Sequence, residues 1–111
     1  MILITGVSGL LGSNLAFHAR ARGEEVVAVY NRHKYVAEHV KSYQADLTCK
    51  SLVADLMRRW RPDWVIHCAA STDVDWCEEH PEDAFQVNCE MSRNIARSAN
   101  RVGARLVYIS T

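Results

Sequence analysis

The chain has 111 residues, 49% hydrophobic and 23% charged, with 13 Lys plus Arg against 13 Asp plus Glu. That is the size of one packed domain, and zero formal net charge removes bulk attraction as a basis for a nucleic-acid or membrane partner. No apolar run reaches the length that crosses a bilayer, and the start lacks the basic, apolar and small-residue order of a signal peptide, so a cytoplasmic protein is expected. Its cysteines, Cys49, Cys68, Cys77 and Cys89, form no Cys-x-x-Cys pair and join no close histidine cluster. Free thiols and no metal site are expected, with Cys68 buried as a small apolar residue.

Met1 to Ile4 reads as a short buried strand. Gly6, Gly9 and Gly12 follow at spacings of three, and Leu11, Leu15, His18 and Ala19 then recur at helical spacing. A strand, a glycine turn and a helix start are the ingredients of a dinucleotide phosphate site. One glycine turns the chain out of the strand, a second lets backbone approach a pyrophosphate, and a third lets the helix pack closely. The helix start supplies free N–H groups and the positive dipole end. A glycine-rich turn without a ligand is the competing reading.

The first helix is expected over 10–22, with Gly23 ending it in a left-handed conformation. Glu25–Tyr30 reads as a strand covered on both faces. Asn31, Arg32, His33 and Lys34 make a polar, basic loop, and 35–39 is ambiguous. Val40–Gln44 reads as a weaker edge strand. Thr48 is placed to cap a second helix, with Leu52, Val53, Leu56, Met57 and Trp60 on its core face and Pro62 as its stop. Residues 63–70 give a fourth strand and its exit, and 71–80 a polar loop with room for one helical turn. Pro81 suits the first turn of a long helix marked by Ala84, Asn88, Met91, Ile95, Ala99 and Val102, ended by Gly103. Arg105–Ser110 is a fifth strand. Regular alternation of strand and helix predicts an α/β, Rossmann-like, doubly wound parallel sheet of order 3-2-1-4-5 filling residues 1–111. Its ligand crevice should lie at the carboxyl ends of strands 1 and 4.

Thr5-Gly-Val-Ser-Gly-Leu-Leu-Gly12, Ala45-Asp-Leu47, His67-Cys-Ala-Ala70, Val87-Asn88 and Tyr108-Ile-Ser-Thr111 occur in the order seen in extended short-chain dehydrogenases/reductases. The chain resembles most the dTDP-4-dehydrorhamnose reductase group, including Asp73-Val-Asp75 and Pro81-Glu-Asp-Ala-Phe85, and matches the N-terminal portion of such an enzyme. The resemblance implies that Gly6, Gly9, Leu10, Leu11 and Gly12 surround the pyrophosphate. It places Asp46 and Leu47 by the adenine, where Asp46 alternatively only starts a turn. It sets Ala69 and Ala70 by the nicotinamide-side ribose, where they are alternatively small core residues. Asn88 would support the loop after strand 4, or sit exposed on its helix. Thr111 aligns with the catalytic Ser/Thr that hydrogen-bonds the substrate carbonyl, or is a strand-end hydroxyl.

An acidic residue at the end of strand 2 would favour NAD. Tyr30, Asn31, Arg32 and Lys34 stand there instead, and a guanidinium can grip a 2′-phosphate with paired hydrogen bonds. NADP(H) is therefore favoured over NAD(H), with Arg32 first and Lys34 second; a solvated basic turn is the alternative.

The resemblance implies hydride transfer to a 4-keto deoxysugar nucleotide, assisted by a Tyr-x-x-x-Lys pair that would fall beyond Thr111. Tyr30 and Lys34 fit that spacing but lie on the adenosine side and are set aside. Alone, the chain is expected to bind the adenosine and pyrophosphate at most, without turnover. Two alternatives are a non-catalytic NADP-binding subunit, similar to the regulatory subunit of methionine adenosyltransferase, and an NAD-dependent epimerase or dehydratase. His67 reads as a hydrogen-bonded core histidine, and the tryptophans as core and rim packing. The acidic residues Asp73, Asp75, Glu78 and Glu79 read as a solvated loop. The apolar strand Leu106-Val-Tyr-Ile109, with no strand beyond it, is expected to self-associate through its edge or to leave the chain marginally stable.

Overall fold

Apolar strands separated by amphipathic helices build one parallel sheet in the computed structural model, which describes residues 1–70 and 74–109. The elements are β1 (Ile2–Thr5), α1 (Leu10–Ala21), β2 (Val26–Tyr30), β3 (Lys41–Gln44), α2 (Lys50–Trp60) and β4 (Trp64–His67). Then follow α3 (Val74–Glu79), α4 (Pro81–Phe85), a π-helical turn (Gln86–Glu90), α5 (Met91–Arg101) and β5 (Arg105–Tyr108). The sheet runs β3-β2-β1-β4-β5, all neighbours parallel, as the alternation predicted. Thr5 at the end of β1 stands between Val29 of β2 and His67 of β4.

Side chains alternate across the sheet, so each strand feeds two cores. Leu3, Val27, Val29 and Val65 meet Val53, Leu56 and Met57 of α2 and Met91, Ile95 and Ala99 of α5. Ile4, Val26 and Ala28 meet Val7 and Ala16 on the α1 side. The β4 and β5 strands are less covered there: Trp64 is 40% and Val107 37% exposed.

Several local expectations need correction. Cys49, not Thr48, stands at the N-cap of α2, and no side chain caps the helix. The Thr48 hydroxyl instead donates to the Asp46 carboxylate at 2.6 Å, the nearer acceptor within a tight Asx turn. Leu52 faces outward at 42% exposed, because the buried stripe runs through Val53, Leu56 and Met57. The helix ends at Arg61 in a left-handed conformation, φ 42°, one residue before Pro62. Residues 35–39, ambiguous in the sequence, form no helix. The long helix from Pro81 is not uniformly α-helical: it widens into the π-helical turn at Gln86–Glu90 before continuing as α5. Cys68 is half-buried rather than buried.

The turn out of β1 is set by backbone contact. Gly6 has φ +65°, and a Cβ there would stand 2.6 Å from the Ala69 nitrogen. At Gly12 a Cβ would meet the Gly6 carbonyl oxygen at 2.3 Å. At these two points α1, the turn and the exit of β4 meet backbone to backbone. Gly23 differs: its φ is +84°, but nothing lies within 4 Å of a Cβ. Urea denaturation should show Gly12→Ala costing about 3 kcal/mol through forced displacement of α1. Gly23→Ala should cost only about 1 kcal/mol, for left-handed strain. Equal losses would contradict the contact.

Candidate functional site

At the carboxyl ends of β1, β2 and β4 lies a crevice of about 510 Å³. Its position follows from topology: β2 and β4 flank β1 but their crossovers leave in opposite directions, so the chain parts at this edge.

Gly6, Ser8 and Gly9 form one wall. Gly9 is the N-cap of α1, no side chain caps that helix, and its first turn holds no carboxylate. Its leading N–H groups and positive dipole end are thus not offset by a local acid. Gly12 is buried beneath the turn, where it admits the helix. Leu10 and Leu11 stand in the first turn, 86% and 46% exposed, and neither lines the crevice.

The end of β2 supplies Tyr30, Asn31, Arg32 and His33. The Gln44 carboxamide donates to the Asn31 carbonyl at 2.9 Å and ties this loop to β3. Arg32 is exposed and makes no ion pair among the described residues, whereas Lys34 is exposed and off the crevice. His33 is a lining residue that the sequence reading passed over.

Leu47 is buried and lines the crevice beside Ala45. Asp46 between them is exposed and turned into its own loop, accepting from the Thr48 N–H at 3.0 Å and the Thr48 hydroxyl. Its placement matches the turn reading. The Asn94 carboxamide, 5% exposed, donates to the Leu47 and Thr48 carbonyls at 3.0 and 3.2 Å. It pins this loop to α5, a tie that a lone Asn on a helical face did not announce.

Ala69 and Ala70 form the floor beyond β4. Trp76 of α3, Val87 of the π-helical turn and Met91 of α5 close the far side. Trp76 stacks on His80 with ring centroids 4.9 Å apart. Thr111 and Asp73 lie outside the described residues, as do positions 71 and 72 of the loop that Asn88 is expected to support, while Val74–Glu79 of that stretch is the helix α3. Among the described residues, no group of three or more His, Cys, Asp or Glu could hold a metal. No helix there is long and apolar enough to cross a membrane.

Under the floor, His67 is 1% exposed, with Nδ1 2.6 Å from the Thr5 hydroxyl and Nε2 3.1 Å from the Ser92 hydroxyl. It is the hydrogen-bonded core histidine expected. Burial pushes its pKa down from 6.5 to about 4.

Fold and crevice define a Rossmann-like α/β unit with an open crevice at the carboxyl ends of β1 and β4. The chain belongs to the RmlD substrate binding domain family, which matches residues 1–111. It is 36% identical over 110 residues to a dTDP-4-dehydrorhamnose reductase of Mycobacterium tuberculosis, covering 99% of this chain and 32% of that protein. It is 33% identical to the methionine adenosyltransferase 2 subunit beta of Bos taurus, covering 99% and 32%. Among solved structures, a Thermus thermophilus UDP-glucose 4-epimerase in complex with NAD superposes with TM-score 0.93 at 32% identity, covering 99% and 37%. The chain spans about a third of the length of the curated relatives it matches.

His67 also sets a pH dependence. Its folded-state pKa lies below the unfolded value, so between about 4 and 6.5 the unfolded chain binds the extra proton. Stability is complete above pH 6.5 and falls as pH drops toward 4, by on the order of 3 kcal/mol. Urea midpoints across that range should fall in the native sequence and flatten in His67→Gln. An equal slope in both would remove His67 as the cause.

Proposed function

We propose that this chain is the cofactor-binding part of an NADPH-dependent sugar-nucleotide reductase of the dTDP-4-dehydrorhamnose reductase type, working in the cytoplasm. The observation carrying the reading is the β1–α1 turn: backbone-only packing at Gly6 and Gly12, an uncapped helix start, and small residues at Ala69 and Ala70 opposite. A pyrophosphate fits the helix start because bare N–H groups and the dipole end favour an anion. The nicotinamide-side ribose fits against Ala69 and Ala70, and Leu47 supplies an apolar wall for the adenine. Leu10, Leu11 and Gly12 contribute through backbone N–H groups, so the exposure of the leucine side chains does not count against them. Asp46 contributes by shaping the turn that presents Leu47.

Arg32 supports NADP(H) over NAD(H). It lines the crevice at the end of β2, where Tyr30 and Asn31 replace the acid that would pair with ribose hydroxyls. Asn31 lies on the same rim and Lys34 adds long-range charge.

When bound, the dinucleotide supplies the hydride. This chain's part is to hold the cofactor and, through the Thr111 hydroxyl, to orient the carbonyl of a 4-keto deoxysugar nucleotide. The Tyr-x-x-x-Lys pair implied by the family resemblance is not drawn from Tyr30 and Lys34, which stand at the end of β2.

The identity to the Bos taurus subunit beta favours a second reading, a binding subunit that keeps NADP(H) without turnover. Reduction of dTDP-4-dehydrorhamnose by the longer protein separates the two.

In calorimetric titrations, NADP+ should bind more tightly than NAD+. Arg32→Ala should weaken NADP+ roughly tenfold, from loss of a charged hydrogen bond, and leave NAD+ unchanged. Tighter NAD+ binding, or an indifferent Arg32→Ala, would contradict the cofactor assignment.

The exposed β5 edge, with Tyr108 50% exposed, is assigned to self-association of the isolated chain. Sedimentation should show concentration-dependent growth that Val107→Lys suppresses; a monomer at high concentration would contradict it.

A further inference from the structure

The crevice floor and its far wall belong to different elements, and one chain of hydrogen bonds, buried at its centre, joins them. Thr5 ends β1, His67 ends β4 and Ser92 lies in the first turn of α5. The Thr5 hydroxyl meets the Ala69 N–H at 3.3 Å and His67 Nδ1 at 2.6 Å. The Ser92 hydroxyl meets His67 Nε2 at 3.1 Å and the Asn88 carbonyl, inside the π-helical turn, at 2.8 Å.

Proton bookkeeping orients every bond. The Ala69 N–H can only donate, so the Thr5 oxygen accepts from it. The Asn88 carbonyl can only accept, so Ser92 gives its single proton there. Ser92 is then left to accept from His67, which places the ring proton on Nε2. Neutral imidazole so protonated has a bare Nδ1, which accepts the Thr5 proton. The other tautomer would set two lone pairs against each other at Ser92 and deprive the Thr5 proton of its acceptor. Thr5 and His67 are 0% and 1% exposed, so water does not substitute for the lost partners. Across from His67, Tyr108 of β5 presents its ring, centroids 5.8 Å apart.

We propose that Ala69–Thr5–His67–Ser92–Asn88 is a one-way hydrogen-bond relay that holds the crevice floor in register with the π-helical turn, making Thr5, His67 and Ser92 positioning residues. The relay matters to ligand binding because its two ends touch the crevice. At one end, the Ala69 backbone is the surface against which Gly6 turns. At the other, Asn88 adjoins Val87, which lines the opposite wall beside Met91. The π-helical turn at Gln86–Glu90 departs from the regular α-helical bonding on either side of it, and an outside tie beside Val87 bears on the position of that crevice wall. Ser92 gives that tie by back-bonding to the Asn88 carbonyl while accepting from the sheet. The assignment of the ligand as a dinucleotide rests on the proposed function; the relay itself does not.

Two readouts need no ligand. Two-bond 15N–1H spectra of His67 at neutral pH should show a protonated Nε2 and a bare Nδ1; a protonated Nδ1 would overturn the direction. Amide exchange at Ala69 should speed up in Thr5→Val, which removes its acceptor, and also in Ser92→Ala at the far end, while Leu3 and Val27 keep their rates. Unchanged Ala69 exchange in Ser92→Ala would overturn the relay. NADP+ titration then reads the consequence. Thr5→Val and Ser92→Ala should each weaken NADP+ roughly tenfold, the effect of one lost buried hydrogen bond. Thr5→Ser and His67→Gln, which keep a donor and an acceptor, should stay close to the native affinity. Native affinity in both Thr5→Val and Ser92→Ala would overturn the positioning role. A native protein that binds no NADP+ would instead remove the dinucleotide assignment, while the tautomer and the exchange rates still decide the relay.

Discussion

At the carboxyl end of β1, backbone packs on backbone with no side chain between. Gly6 turns against the Ala69 nitrogen, and Gly12 seats α1 on the Gly6 carbonyl. Everything at the crevice follows from that closeness. A wider turn would lift the start of α1 away from the sheet edge, and its free N–H groups would no longer face the space between β1 and β4.

The same β1 residue that precedes the turn braces the site from below. Thr5 is shared between β1's ladder and a side-chain chain through His67 to Ser92. Rigid strands alone would fix Thr5 relative to His67, but not either of them relative to the π-helical turn. The polar chain supplies that third point. Asn94 does a similar job further along α5, holding the Leu47 loop. The α5 helix thus acts as a strut for two crevice walls, through Ser92 at its start and Asn94 a turn further on.

Much of this was legible in the residues. Strand order, the switch point and the glycine turn follow from alternation and from spacings that only a strand-turn-helix satisfies, and the structure has them. His67 read as a bonded core histidine because a polar residue in a buried strand must find partners. Other features were hidden for physical reasons. Thr48 looked like a helix cap, yet Asp46 stood two residues away and captured its hydroxyl. Leu52 fitted a helical stripe whose true axis is rotated toward Val53 and Met57. The π-helical turn was invisible because Asn88, Met91 and Ile95 satisfy α-spacing whether or not an extra residue is accommodated. Trp76 and His33 reach the crevice through loop and helix placement that no local pattern encodes, and Lys34, of the same charge as Arg32, stays off it.

The central claim is that the α1 start and the β4 exit together receive the pyrophosphate of a dinucleotide. Backbone amide shifts on adding NADP+ test it most directly. The account predicts the largest changes at Ser8 to Gly12 and at Ala69 and Ala70, with β5 and the outer face of α2 silent. Changes centred anywhere else, or the same map from inorganic phosphate at equal concentration, would contradict it.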